Sequence, residues 1–341
     1  MTTEHGHGHG HGHGHGGVRN AVREFFVPHS HDHADRVDDA LTSSQIGIRA
    51  VKISLVALGA TALLQLIIVV ISGSVALFAD TVHNFADAMT SVPLWIAFVL
   101  GRRAATRKFN YGYGRAEDLA GLFIVAMIAL SALIAGFESI RRLINPVAIS
   151  HIPWVAAAGV IGFVGNELVA MYRIRVGRRI GSAALVADGY HARTDGFTSL
   201  AVVAGAAGAA LGYDLADPIV GLLITAAIVA ILFASGREVL RRLLDGIDPS
   251  IYDTAMEALR AAPETSEVRS LRIRWIGHEM HAETEVDIAP ECTLAEAHEI
   301  AHRAERRIKE ALPRVSAAVV HAYPAHGRVR GSSRRSGRDG G

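Results

Sequence analysis

Residues 79 to 87 read Ala79-Asp80-Thr81-Val82-His83-Asn84-Phe85-Ala86-Asp87, and residues 187 to 195 read Ala187-Asp188-Gly189-Tyr190-His191-Ala192-Arg193-Thr194-Asp195. Both are Ala-Asp-x-x-His-x-x-x-Asp, and both sit in or beside long apolar segments. In a helix the His and the last Asp, four residues apart, share one face, and the first Asp, three before the His, joins the same stripe. An Asp at the centre of a bilayer costs roughly 2.5–3.5 kcal/mol, so four ionised ones would cost on the order of 10 kcal/mol unless they pair, bind metal or face water. Two His and two Asp from two facing helices make a tetrahedral N/O site for a divalent metal. The same spacing in two apolar segments favours that site over a structural polar network.

The remaining composition fits a membrane protein. The chain has 341 residues, half of them hydrophobic, and a formal net charge of +1. That length accommodates several spans plus one small soluble domain, and the charge balance gives no sign of nucleic-acid binding. Cys292 is the single cysteine, so an internal disulfide is excluded and a domain facing the cytoplasm is expected. No cleavable signal peptide is read at the start.

Six apolar segments, roughly 48–71, 76–100, 117–140, 152–172, 182–211 and 217–235, are each near or above the ~20 residues that cross the hydrocarbon core. Arg102, Arg103, Arg107, Lys108 and Arg115 fill the second connection, Arg173, Arg175, Arg178 and Arg179 the fourth, and Arg237, Arg241 and Arg242 follow the sixth segment. The positive-inside bias then places both termini in the cytoplasm, against the contrary Arg141 and Arg142. The expected location is a multi-pass protein of a bacterial inner membrane. With the motif in the second and fifth segments, the chain divides into two oppositely oriented halves of three helices, the inverted repeat of many secondary transporters.

The flanking regions have other characters. Residues 1–45 carry half of the eighteen histidines, from His5 to His15 alternating with Gly, then His29, His31 and His33. They read as a flexible cytoplasmic tail able to capture metal. Residues 46–245 form the expected transport domain. From 246 to 326 the chain reads as soluble: a helix over Ile251–Ala261, strands over Val268–Trp275 and Ala282–Ile288, an amphipathic helix over Leu294–Leu312 and a last strand over Val315–Ala322. An αββαβ order of this size predicts a small α+β, ferredoxin-like sandwich. Residues 327–341 are rich in Arg, Gly and Ser and read as a disordered basic tail.

Together these features resemble the cation diffusion facilitator family, the proton-coupled zinc-type efflux transporters. The resemblance spans about residues 46–324. It is carried by Gly73-Ser74-Val75-Ala76-Leu77-Phe78-Ala79-Asp80 running into His83 and Asp87, and by Tyr111-Gly112-Tyr113-Gly114-Arg115-Ala116-Glu117. Leu185-Val186-Ala187-Asp188 running into His191 and Asp195, and Ala216-Asp217-Pro218-Ile219, complete it. The resemblance implies that His83, Asp87, His191 and Asp195 are the transport-site ligands, that the soluble domain has a metallochaperone-like fold, and that the protein is a homodimer. It further implies metal ligands at Glu285, His298 and His321, which His278, His281 and His302 would complete, while Tyr323 stands where relatives have Asp. The additional metal site that some relatives carry between the second and third spans is expected to be absent, since Arg107, Phe109 and Tyr113 occupy that stretch.

The expected activity is exchange of a divalent cation for protons, with Zn2+ as cargo and as a regulator in the soluble domain. Co2+, Fe2+ and Cd2+ are the alternatives. Asp80 and Asp188 are expected either to orient the ligating His or to sit at helix ends in contact with water. Asn84 and Glu167 are expected to bond between helices or line the path, and Glu138 to pair with Arg141 and Arg142 at a helix end. Two further activities compete with exchange. One is a passive metal channel; the other is a membrane-anchored zinc hydrolase built on His298-Glu299-Ile300-Ala301-His302, a formal HExxH.

Overall fold

The computed structural model describes residues 31–72, 81, 85, 89–145, 152–213 and 215–325. Asp80, His83, Asn84 and Asp87, His29 and the Gly-His repeat, and the basic tail lie outside the described residues. Helix α1 runs His31–Ser72, so His31 and His33 belong to its first turn. It begins inside the stretch expected as a tail. The reason is local: Ala34 to Ile46 contains no Gly or Pro, and nothing there interrupts a helix that the apolar segment beyond propagates.

The second apolar segment ends in α2, Ser91–Gly101. Then come α3, Arg115–Ile144, α4, Ile152–Ile180, α5, Ala183–Ala210, and α6, Ala216–Leu243. Among the described residues, four helices are long and apolar enough to cross a membrane: 42–71, 115–144, 152–180 and 216–243. Helix α5 is equally long, 28 residues, but carries Asp188, His191, Arg193 and Asp195. Buried Leu94 and Phe98 of α2, Ile124 and Ile128 of α3, Leu185 of α5 and Ile228 of α6 form the core of the bundle. The opposite faces expose Leu63, Ile67 and Val70, Leu133 and Phe137, and Leu223 and Phe233, as lipid-facing helices do.

The domain that follows is an α+β sandwich. Its elements are α7, Pro249–Arg260, β1, Glu267–Ile276, β2, Glu279–Ile288, α8, Leu294–Ala311, and β3, Val315–Pro324. The sheet order is β1-β2-β3, with β1 antiparallel and β3 parallel to the central β2. A capping box starts α8: Thr293 Oγ1 accepts from the Glu296 amide, and the Glu296 carboxylate accepts from the Thr293 amide. Strand alternation sends Leu271, Ile273, Trp275, Ala282 and Val286 to one face, where they pack on Ala255 and Leu259 of α7 and Ile300, Ala304 and Ile308 of α8.

Two anchors fasten this domain to the helices. The β1–β2 turn is only Gly277-His278, with Gly277 at φ +63. A Cβ on Gly277 would lie 2.9 Å from the Gly114 carbonyl oxygen, and one on Gly114 would lie 2.8 Å from Ile276. Only paired glycines permit so close an approach. Beside them His278 Nδ1 meets a buried Glu117 carboxylate oxygen at 2.8 Å. At the second anchor Arg314 donates to the carbonyl oxygens of Arg178 and Arg179 at 2.9 and 3.2 Å, satisfying the end of α4.

Candidate metal site

Helix α5 is launched by Ser182, whose hydroxyl accepts from the Leu185 amide at 3.0 Å, and this start sets the phase of the motif. Asp188, His191 and Asp195 then fall on one stripe and are 0%, 1% and 7% exposed. His191 Nδ1 and Asp195 Oδ1 are 3.7 Å apart, longer than a hydrogen bond. Three hydroxyls turn back onto the backbone here. Thr194 donates to the His191 carbonyl oxygen at 2.7 Å, and Thr198 and Ser199 donate to that of Asp195 at 2.8 and 3.2 Å. Such bonds satisfy small polar side chains in an apolar helix and favour a slight bend.

Small residues bring α4 close to this stripe. A Cβ on Gly162 would lie 2.8 Å from Ser199 Oγ and from Gln65 Nε2, and one on Gly189 would lie 2.7 Å from Ile174. Across this contact Arg173 of α4 pairs with Asp188 at 3.0 Å, and Ser91 of α2 donates to the other Asp188 oxygen at 3.4 Å. Of the two roles expected for Asp188, contact with water at a helix end is excluded by its complete burial. Arg173, expected in a connection, is instead 1% exposed inside α4, because that helix continues to Ile180. One turn further along, Arg193 grips Glu167 of α4 through two bonds of 3.0 and 2.6 Å. This is the interhelical bonding expected of Glu167, in bidentate form.

In the soluble domain the candidate ligands are divided by the sheet. His281, Glu285 and His321 alternate away from the face that α7 and α8 cover, with Glu285 and His321 register partners on β2 and β3. His298 and His302 lie on α8, on the covered side, with Nε2 atoms 3.1 Å apart and Glu305 3.3 Å from His302. Within one chain the two sets cannot meet. Among the described residues no group of three or more His, Cys, Asp or Glu side chains could hold a metal ion. Tyr323 stacks on His321 at 4.8 Å and beneath the Arg269 guanidinium at 4.5 Å, a packing role in place of a ligand.

The transmembrane domain of cation efflux proteins matches residues 51–244, and the cytoplasmic domain of the same proteins matches residues 247–325. The chain belongs to the cation efflux family. Its members are the cation diffusion facilitators, metal-ion transporters of membranes and not enzymes. A Mycobacterium tuberculosis protein named probable cation efflux system protein Rv2025c is 63% identical over 312 residues, covering 91% of this chain and 94% of that one. Manganese efflux system protein MneS of Bacillus subtilis is 26% identical over 250 residues, 72% of this chain and 85% of its own. The solved structure MamM-CTD 215-293 is 25% identical, covers 23% of this chain and 98% of its own, and has a TM-score of 0.22.

This cation efflux protein thus carries a helical transmembrane domain and a cytoplasmic α+β domain, and the HExxH of α8 is not a hydrolase centre. Sequence reasoning missed the burial of Arg173 and the grip of Arg193 on Glu167. The signal for Arg193 was available, since it falls inside the motif with an unexplained acid one helix away. For Arg173 the polar neighbours Arg175, Arg178 and Arg179 disguised a residue that the helix carries inward.

Proposed function

We propose that this protein exports zinc in exchange for protons, through a site made by His83, Asp87, His191 and Asp195. The observation that carries the reading is the buried His191 and Asp195 pair on one stripe of α5, 3.7 Å apart. A second His and Asp from the repeated motif would complete a tetrahedral set. Zinc binds only neutral imidazole and ionised carboxylate, so loading expels protons, and reprotonation from the other side expels the metal. An unperturbed His titrates near ~6.5, within reach of physiological pH.

The assigned organisation is a His-rich amino-terminal region over 1–45, whose residues from His31 onward already belong to α1, a transport domain over 46–245, a regulatory and dimerising domain over 246–326 and a basic tail over 327–341. The working unit is a homodimer in a bacterial inner membrane with both termini cytoplasmic. His29, His31 and His33 capture metal, and Asp80 supports its site as a neighbouring carboxylate. The dimerisation role has support in the match to the family's cytoplasmic domain. MneS is named for manganese, so manganese belongs among the cargo candidates beside cobalt, iron and cadmium.

The test is flux in proteoliposomes with an imposed pH gradient and an internal pH dye, comparing zinc with manganese and the intact protein with Asp195→Ala. Uphill zinc movement with opposite proton movement, lost in a folded Asp195→Ala variant, is the expected result. Normal flux in the variant rules out the site. Downhill leakage without proton movement makes the protein a channel.

A further inference from the structure

Helices α1 and α2 each carry an outward stripe that finishes in cations at the same end of the bundle. On α1, Arg49, Lys52, Ile53 and Val56 are all exposed and share one face at helical spacing. On α2, the exposed Trp95 and Val99 run on to Arg102 and Arg103, also exposed. The inward sides of the two helices pack together: Ala50 and Val51 share a core with Leu94, Ala97 and Phe98, and a Cβ on Gly47 would lie 2.7 Å from the Phe98 ring. The outward stripes meet where Lys52 Nζ stands over the Trp95 ring, 5.8 Å from its centre.

This end of the bundle faces the cytoplasm, because the connection after Arg103 leads to Gly114, which touches the turn of the cytoplasmic domain. Trp95 lies about 9 Å before Gly101 along the helix axis. Lys52 is therefore a lipid-facing cation below the level at which α2 ends, with its ammonium drawn along an indole. No acid offsets the cluster. On α1 no Asp or Glu follows Asp39, and none occurs from Ser91 to Arg115. Other cations at this face have carboxylates of their own, Arg115 in Asp118 and Asp245, and Arg241 and Arg242 in Glu238. Among the described residues no carboxylate pairs with Arg49, Lys52, Arg102 or Arg103. A charge set against lipid is costly without a counter-ion, and here the counter-ion must come from outside the chain.

We propose that Arg49, Lys52, Trp95, Arg102 and Arg103 hold the headgroup of an anionic phospholipid of the cytoplasmic leaflet. The ammonium and guanidinium groups take the phosphate, the indole lies at the boundary of headgroup and chain, and the acyl chains run along Ile53, Val56 and Val99. A zwitterionic lipid brings an ammonium that four cations repel, so the site selects net negative charge and not phosphate alone. Its occupant bridges α1 and α2, and by mass action it stabilises their contact.

The test uses the full chain in phosphatidylcholine nanodiscs prepared with increasing fractions of a lipid whose brominated acyl chains quench tryptophan, either phosphatidylglycerol or, as control, phosphatidylcholine. The difference in fluorescence between the wild type and Trp95→Phe isolates Trp95. That signal should be quenched at a roughly tenfold lower fraction of the anionic lipid. Lys52→Gln should lose about fivefold of the preference, the worth of one cation near a headgroup, and Lys52→Arg should keep it. Arg237→Gln, which removes an exposed charge from α6, should leave the preference unchanged. Equal quenching by the two lipids or an unchanged preference in Lys52→Gln overturns the site. An equal loss in Arg237→Gln also overturns it, by showing that diffuse surface charge suffices. Relief of quenching by inorganic phosphate at constant ionic strength would make the ligand free phosphate and overturn the lipid assignment.

Discussion

Arg173 and Asp188 form an ion pair sealed from solvent, 3.0 Å apart and one turn from His191. Removing one member of a buried pair strands the other, at a cost of about 3–5 kcal/mol. Arg173→Met should therefore fold poorly, read as loss of a monodisperse detergent peak and a fall in unfolding midpoint. Removing both charges, as Arg173→Met with Asp188→Asn, should recover most of that loss, since no lone charge is left. Equal damage in the single and double variants would show that packing matters and the pair does not.

The glycine contact between the cytoplasmic turn and α3 makes a second prediction. Gly277→Ala puts a side chain into a left-handed backbone, about 1–2 kcal/mol, and drives its Cβ toward the Gly114 carbonyl oxygen. The transport helices should remain folded while the turn lifts from α3. Hydrogen exchange should rise in Ile276–Glu279 and around Gly114, and stay unchanged in α5.

His281 gives a pH dependence with a definite sign. Burial holds its imidazole below its usual value of 6.5, and Arg274 across the strand pair lowers it further against Glu279 and Glu283. The unfolded chain binds this proton more readily than the folded one, so stability falls as pH drops below 6.5 toward the folded value. Thermal unfolding of the intact protein against that of His281→Gln, between about pH 7.5 and 5.5, should show the wild type losing more on acidification. Parallel curves would remove His281 as a cause.

Glu299→Gln should leave flux and stability unchanged. Its carboxylate is exposed on α8 and the helix is held by Ile300, Ala304 and Ile308 on the other side. A surface change of this kind usually stays within about 0.5 kcal/mol. A large loss of transport would give the exposed face of α8 a role that the fold does not explain.

The secondary structure of the cytoplasmic domain was legible because its strands alternate apolar and polar residues and its second helix is amphipathic. The structure adds the stops and starts: Pro249 at the opening of α7 and the Thr293–Glu296 box at that of α8. The stripe of Asp188, His191 and Asp195 was legible for a similar reason, since helical spacing alone aligns it. What could not be read was which charges meet across helices. Arg173 looked like part of a basic connection, and while the pairing of Glu138 with Arg141 and Arg142 was read from their spacing and is found, the reach of Arg142 across to Asp217 was not foreseen. Nor could the sequence say that the sheet would separate His281, Glu285 and His321 from His298 and His302. That division follows from strand parity and from where α8 lands, and both depend on tertiary contact.

The cytoplasmic sheet grips two different parts of the helical domain, the start of α3 through Gly277 and the end of α4 through Arg314. It is therefore a plate bolted at two points of unequal stiffness. The glycine contact is an interlock of backbones with no slack, whereas Arg314 is a long side chain resting on two exposed carbonyl oxygens, able to change its reach without disturbing either chain segment.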